Sequence, residues 1–346
     1  MKPKFRLLFA LPEPAAVETI AVAFEAPHAL IATSSSLWQV DDTFSPSGVP
    51  RKIATEKGEI QALYRFFDGL YLLKYMADDG SGNVLLRSTD HAATFTPIDA
   101  ALTVNEAGFE SKLNPTRMAA SGNLKFINAG GGRNILVSDD DTQTWTLLNG
   151  MFANMTCYAG KFLFRNDVMI IGGECPLDVA YLMRGTLSPD FKAWREPLVS
   201  VAPGDISNRN VQFIEYFEPW DMVLAGVEGG LLASRDLGRT WEWLIREEIG
   251  GGGPYPYIQH IVPLPGSDEQ AFAGGYDKGS NGRSYLALTY DRGQTWTDVS
   301  GSVQAFAKDP RQAMALISHP DGRVIVAVQD FASAAIVFAE LAGFEA

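Results

Sequence analysis

The chain has 346 residues, 46% of them hydrophobic, and a formal net charge of −13. The acidity is spread along its length, which argues against nucleic acid and anionic membrane surfaces as partners, because both demand a basic patch. Two cysteines, Cys157 and Cys175, are too few for a disulfide framework and lack the spacing of a zinc site. The four histidines, at 28, 91, 260 and 319, form no metal-binding pattern, so neither a metal nor a cofactor is expected. No apolar run approaches the ~18 residues needed to span a bilayer. The N-terminal apolar stretch, LLFAL, stops at Pro12-Glu13-Pro14, short of a signal peptide, so synthesis in the cytoplasm without cleavage is expected.

In chain order, the first apolar run is FRLLFAL, residues 5–11. Residues 18–54 follow with four short runs. Five longer segments then share one plan, at 58–98, 115–148, 156–198, 211–245 and 257–299. Each has an apolar run, a second run that often ends in glycines (KFINAGGG, MIIGGE, MVLAGVEGG, AFAGGYD), a third (NVLLR, NILV, AYLM, GLLA, YLAL) and a brief strand after an aromatic residue (FTPI, WTLL, WREPL, WEWLI, WTDV). Residues 313–341 supply only three runs. These are short β-strands between turn residues, with little helical periodicity.

Between the third and fourth strands a motif recurs: STDHAATF (88–95), SDDDTQTW (138–145), SPDFKAW (188–194), SRDLGRTW (234–241) and TYDRGQTW (289–296). Its aspartates, Asp90, Asp140, Asp190, Asp236 and Asp291, are spaced by 50, 50, 46 and 55 residues. Four strands repeated at about fifty residues describe the blade of a β-propeller. The pattern S-x-D-x-G-x-T-W resembles the Asp-box, or BNR repeat, shared by sialidases, sortilin-type receptors, photosystem assembly factors and some xyloglucan-degrading enzymes. The likeness extends over nearly the whole chain. Departures are Ala92 and Thr142 in place of Gly, Thr289 in place of Ser, Phe95 in place of Trp, and the shortened 188–194 box.

The expected fold is all-β: one β-propeller domain over 1–346, with seven four-stranded blades, the last of them (313–341) completed by 5–11. A ring left open would expose two unpaired edges. A six-bladed ring is the alternative. The resemblance implies that the box residues are structural. Ser88, Asp90, Phe95, Ser138, Asp140, Trp145, Ser188, Asp190, Trp194, Ser234, Asp236, Gly238, Thr240, Trp241, Asp291, Gly293, Thr295 and Trp296 would cap turns and plug the hydrophobic interior.

Strand direction places the boxes on one face. The blade-to-blade connections 99–115, 199–210, 246–257 and 300–311 and the second-to-third strand loops 77–82, 174–178 and 275–284 lie on the other. On that second face the candidate binding residues are Arg117, Arg209, Glu215, Tyr255 and Tyr257. Sialidases hold the substrate carboxylate with three arginines and use a Tyr–Glu pair. Here the Arg-Ile-Pro motif is absent from PEPAAVETIAV, while Arg117, Arg209 and the pair Glu215 and Tyr216 remain as partial matches. Asp277, Ser280 and Asn281 in DKGSNG offer oxygen atoms but no calcium loop, and read as a turn.

The expected function is therefore non-catalytic: a rigid disc that recognises or scaffolds a protein or glycan partner. Asp-box propellers usually work outside cells, and a chain with no export signal leads to a virion-associated role, in a phage tail or fibre, as a module repeated in a symmetric assembly. A sialidase-like exo-glycosidase and an assembly factor for a larger complex are the alternatives.

Overall fold

A computed structural model of the protein describes residues 2–13, 20–53, 58–76, 82–98, 103–106, 109–112, 115–129, 134–148, 158–174, 181–204, 209–248 and 254–345. After β1 (Lys2–Pro12), the strands β2 (Ile20–Glu25), β3 (His28–Thr33), β4 (Leu37–Asp41) and β5 (Arg51–Ile53) pair in order as an antiparallel sheet. The next sheet is β6 (Glu59–Phe66), β7 (Gly69–Met76), β8 (Gly82–Ser88) and β9 (Thr96–Pro97). A separate hairpin, β10 (Thr103–Glu106) with β11 (Phe109–Lys112), sits within the following connection. Then come β12 (Pro115–Ser121), β13 (Leu124–Ala129), β14 (Asn134–Ser138) and β15 (Thr146–Leu148). The fourth sheet is β16 (Tyr158–Arg165), β17 (Val168–Glu174), β18 (Tyr181–Leu187) and β19 (Trp194–Ser200). The fifth is β20 (Val211–Phe217), β21 (Met222–Val227), β22 (Gly230–Ser234) and β23 (Glu242–Arg246).

The remaining strands are β24 (Pro256–Pro263), β25 (Ala271–Asp277), β26 (Arg283–Thr289), β27 (Thr297–Asp298), β28 (Pro310–Ser318), β29 (Val324–Asp330) and β30 (Ala335–Glu345). With β1 they form a single eight-stranded sheet, ordered β1-β30-β29-β28-β26-β25-β24, with β27 also on β26. The fold is an all-β propeller. The expected seven four-stranded blades, and the six-bladed alternative, are not what is found: five four-stranded blades stand as separate sheets. The physical reason is local. β27 has two residues and covers β26 only at Ala287 and Leu288, so the start of β26 keeps an open edge, and Arg283 pairs there with Arg311 of β28.

The second strands carry the interior. β21 (MVLAGV) and β29 (VIVAVQD) are buried at every residue, as expected for strands covered on both faces. Hydrophobic clusters fill the spaces between successive sheets. One holds Leu30, Leu37, Ile60 and Leu72 between the first and second sheets. Another holds Tyr71, Leu85, Met118 and Leu136 between the second and third. The series continues with Phe126 against Met169, Ile170 against Val223, and Leu224 against Ile258. Within the eight-stranded sheet, Phe272 and Leu286 pack on Val326 and Leu316, so its two halves face each other as the other sheets do. The last cluster joins Leu11, Ile336 and Phe338 to Ile31 and Trp38 of the first sheet.

The expected closing strand is present. β1 runs antiparallel to β30, with Leu11 opposite Ile336 and Phe9 opposite Phe338, their rings stacked at 4.8 Å. Arg6 bonds Glu340 across the pair. Beyond β1, the Glu13 carboxylate accepts from Thr33 Oγ1 (3.0 Å), Ser35 Oγ (2.6 Å) and Trp38 Nε1 (2.9 Å), tying the closing strand to the first sheet. Leu11 is fully buried at this junction. Leu11→Ala should therefore lower the unfolding free energy by about 2–4 kcal/mol in urea titration, the range for a buried leucine truncated to alanine. A loss under about 1 kcal/mol would mean that the junction is not packed as described.

Candidate binding face

The repeated turns form one set of contacts. In the 234–241 turn, Ser234 Oγ donates to Asp236 Oδ1 (2.8 Å) and accepts from Gly238 N (2.7 Å), while Asp236 accepts from Thr240 N (2.9 Å) and Thr240 Oγ1 (2.7 Å). The same bonds recur among Ser88, Asp90, Ala92 and Thr94, among Ser138, Asp140, Thr142 and Thr144, and among Thr289, Asp291, Gly293 and Thr295. In the shortened turn Ser188 Oγ donates to Asp190 Oδ1 (2.6 Å) and accepts from Ala193 N (3.1 Å), and Trp194 already opens β19.

Two successive residues in each full turn adopt left-handed backbone, as in Leu237 (φ 52°) and Gly238 (φ 80°). Glycine suits the second of them on sterics as well: a Cβ at Gly238 would lie 2.6 Å from Ile170 Cδ1 of the preceding sheet. The aromatic residue that follows, Phe95, Trp145, Trp194, Trp241 or Trp296, is half-buried against the cluster shared with the sheet before it.

The turn carboxylates hold low pKa values. Hydrogen bonds from the Thr94 hydroxyl and N–H bring Asp90 down to about 2. At Asp236 partial burial pushes upward, and the bonds from Thr240, Ser234 and Arg239 outweigh it, again giving about 2. The stability they contribute is whole above the ordinary aspartate range near 4 and is lost as the pH falls toward 2. Asp236→Ala should cost about 1–2 kcal/mol at pH 7, as for a lost cap. Half-burial puts Trp241→Ala at about 2–3 kcal/mol, below the ~3–5 of a fully buried aromatic. Urea titrations at pH 7 and pH 2.5 check both: the cost of Asp236→Ala should shrink at the lower pH, and an unchanged cost would contradict the capping role.

The opposite face collects the starts of β24 and β28, the β25–β26 loop and the end of β27. Several sequence-selected residues here serve the fold. Tyr255 and Tyr257 are 7% and 4% exposed, so neither ring is open to a ligand. Tyr257 stacks on Tyr276 at 4.8 Å and its hydroxyl accepts from Lys278 Nζ (2.8 Å). Arg209, 6% exposed, lies 5.0 Å from the Trp243 ring centre and pairs with Glu248 at 3.1 Å. The loop 275–284 is a capped turn: Asp277 Oδ1 accepts from Gly279 N (2.9 Å) and Tyr255 N (2.7 Å), and Asn281 is left-handed.

Arg117 lies half-buried on β12. A β-bulge precedes it, and bulges precede Lys161 of β16 and His260 of β24 at the matching places. Burial pushes Lys161 down to about 7, helped by Arg117, and His260 down to about 4, helped by Lys161. Glu215 of β20 is pushed up to about 8 by burial. Glu215 and Tyr216 project to opposite faces of their strand, and Tyr216 bonds Asp221 and stacks under Arg165 at 3.4 Å. These two residues therefore do not assemble a Tyr–Glu pair of the sialidase kind.

A raised carboxyl pKa makes the folded state lose stability as the pH rises from the ordinary glutamate range through about 8. Glu215→Gln should remove that loss, so the variant should be less destabilised than the parent at pH 9 and similar at pH 5, read from urea midpoints. An identical pH dependence in both would show Glu215 to be ordinarily solvated.

Beside these residues is a cleft of about 210 Å³, lined by Pro254, Asp277, Ser280, Arg283, Ser284, Tyr285, Asp298, Ser300, Gly301, Gln304, Lys308, Asp309 and Pro310. Sequence reasoning marked its loops, 275–284 and 300–311, but named neither Arg283, Ser284 nor Lys308. A second cleft, about 300 Å³, lies on the face of the turns and includes Arg165, Tyr216 and Asp221. Its Arg165 pairs with Glu218 at 2.9 Å. Among the described residues, no cluster of three His, Cys, Asp or Glu side chains is placed to hold a metal, and no helix is long and apolar enough to cross a membrane. Cys157 and Cys175, and the loop residues 77–81, 175–180, 205–208 and 249–253, lie outside the described residues.

No protein-family profile matches the chain, and no curated protein matches it. Solved structures do. It is similar to YCF48 from Cyanidioschyzon merolae (14% identity, TM-score 0.59, 96% of this chain and 98% of that one). It is similar to YCF48 bound to D1 peptide (12% identity, TM-score 0.61, 100% and 99%). It is also similar to the GH74 xyloglucanase from Xanthomonas campestris (15% identity, TM-score 0.64), covering 99% of this chain but 54% of that one. At such identities the likeness establishes a shared β-propeller fold and no more.

Proposed function

We propose that the protein is a non-catalytic propeller that recognises a protein partner through the face opposite its repeated turns. The observation that carries this reading is how the cleft's groups are committed. Its carboxylates already accept hydrogen bonds within the fold: Asp277 from Tyr255 N and Gly279 N, Asp298 from Ser300 N (2.8 Å) and Ser300 Oγ (2.6 Å), and Asp309 from Arg311 Nε (2.9 Å). Carboxylates fixed in that way serve poorly as the acid and base of a hydrolase, which need freedom to exchange protons with a substrate. The donors Arg283, Lys308 and Ser284 are left to meet a ligand. The neighbour bound to D1 peptide supports a peptide or protein as the partner, since one protein of this shape takes one. The common hydrogen-bond pattern of four of the turns supports reading them as Asp-boxes, while the shortened 188–194 turn departs from it.

The fold and its neighbours carry no sign of a virus particle, and the proposal is made without it. The glycosidase reading draws on the xyloglucanase neighbour. To separate the two, a photo-crosslinking residue is placed at Gln304 in the cleft and at Arg239 in a turn, and the protein is also incubated with xyloglucan and fluorogenic sialosides. The proposal expects one defined protein adduct from Gln304, none from Arg239, and no sugar release. Turnover lost on Arg117→Ala would overturn it.

A further inference from the structure

We infer that the cleft between β26 and β28 is a binding site for a carboxylate on an acidic peptide segment, held by Arg283 and Lys308 with Ser284 beneath. The inference rests on the protein-partner reading above and names the chemistry the partner presents.

Three observations converge. First, the one pair linking β26 to β28 sets Arg283 directly opposite Arg311. Like charges in that position repel. Arg311 is offset by Asp309, at 2.9 Å, and by the Phe331 ring at 5.8 Å. Arg283 has no such offset among the described residues; it is exposed and lines the cleft. Second, Lys308, also exposed in the lining, has no ion-pair partner among the described residues. Third, Ser284 is only 5% exposed, yet its Oγ has no hydrogen-bond partner among the described residues. A buried hydroxyl left unsatisfied costs free energy that a ligand's oxygen atom would recover. Two free cations and a free hydroxyl are the complement of a carboxylate, which accepts a bidentate bond from arginine.

The walls are hydrogen-bonded within the fold. On one side is the Asp277-capped turn. On the other, Leu286 N bonds Ser300 Oγ (2.9 Å) and Asp309 N bonds Asp330 Oδ1 (2.7 Å). A volume near 210 Å³ suits one amino-acid side chain and not a polymer. The bonded carboxylates Asp298 and Asp309 border the same space, so phosphate, with its higher charge, would meet more repulsion than a singly charged peptide carboxylate whose flanking N–H groups can donate to those oxygens.

The test is calorimetric titration of the full chain with a blocked peptide, acetyl-Gly-Phe-Glu-Glu-Gly-amide, its Gln-for-Glu counterpart, glucuronate and inorganic phosphate. Arg283→Gln, Lys308→Gln, Ser284→Ala and the far-face control Arg235→Gln are compared, with thermal unfolding confirming that each is folded. The Glu peptide should bind, the Gln peptide at least ten-fold more weakly. Binding should weaken ten-fold or more in Arg283→Gln and Lys308→Gln and with rising salt, and stay unchanged in Arg235→Gln. Equal binding by parent and Arg283→Gln/Lys308→Gln, tighter binding of glucuronate or phosphate than of the peptide, or no peptide binding at all would each overturn the inference. A crosslink from Gln304 to a protein alongside any of those results would leave the partner reading standing and remove only the carboxylate chemistry.

Discussion

Antiparallel pairing between the first and last strands is the constraint on which the rest of the molecule depends. A propeller sheet has two open edges and two faces, and the faces are covered only if the sheets come round to meet. Here β1 takes the outer place on β30, and Leu11, Ile336 and Phe338 pack against Ile31 and Trp38 of the first sheet. Every other cluster is bounded by neighbours held in place by that closure. The Glu13 carboxylate adds direction, since its bonds to Thr33, Ser35 and Trp38 fix how the closing strand leaves for the first sheet.

Closure also divides labour between the two faces. Each repeated turn is a self-contained device: a hydroxyl and a carboxylate satisfy backbone N–H groups, and an aromatic ring follows into the seam with the preceding sheet. Such turns leave their face with groups bonded to themselves. On the other face the strand starts and longer loops converge without a repeated pattern. There the side chains differ from sheet to sheet, and there Arg283, Lys308 and Ser284 remain without partners among the described residues. Groups with unmet bonding capacity are where recognition has physical purchase.

Much of this was legible in the sequence, for reasons that can be named. The turn residues recur at a fixed spacing and their chemistry is local, so Asp236 and Thr240 announce their bonds within five residues. The closing strand was legible because FRLLFAL had no other place and the last segment lacked a strand. Other features depend on contacts far apart in the chain. Whether Tyr255 and Tyr257 face solvent is decided by Tyr276, Asp277 and Lys278, and the sequence offered them as ligand-facing residues when they are buried. Glu215 and Tyr216 looked like a pair because they are adjacent, while the period of a strand sends them to opposite faces. The join of β26 to β28 follows from the shortness of β27, and sets Arg283 against Arg311 across 28 residues of chain. No local pattern marks Arg283 as a cation left over.

The central claim is that the repeated turns hold the ring while the opposite face does the recognising. Amide hydrogen exchange, measured on the free protein and on the protein with its crosslinked partner, tests it most directly. The account predicts new protection at 277–284 and 300–311, with exchange at 88–95 and 234–241 unchanged. Protection confined to the turns, with 277–284 and 300–311 unaltered, would contradict it.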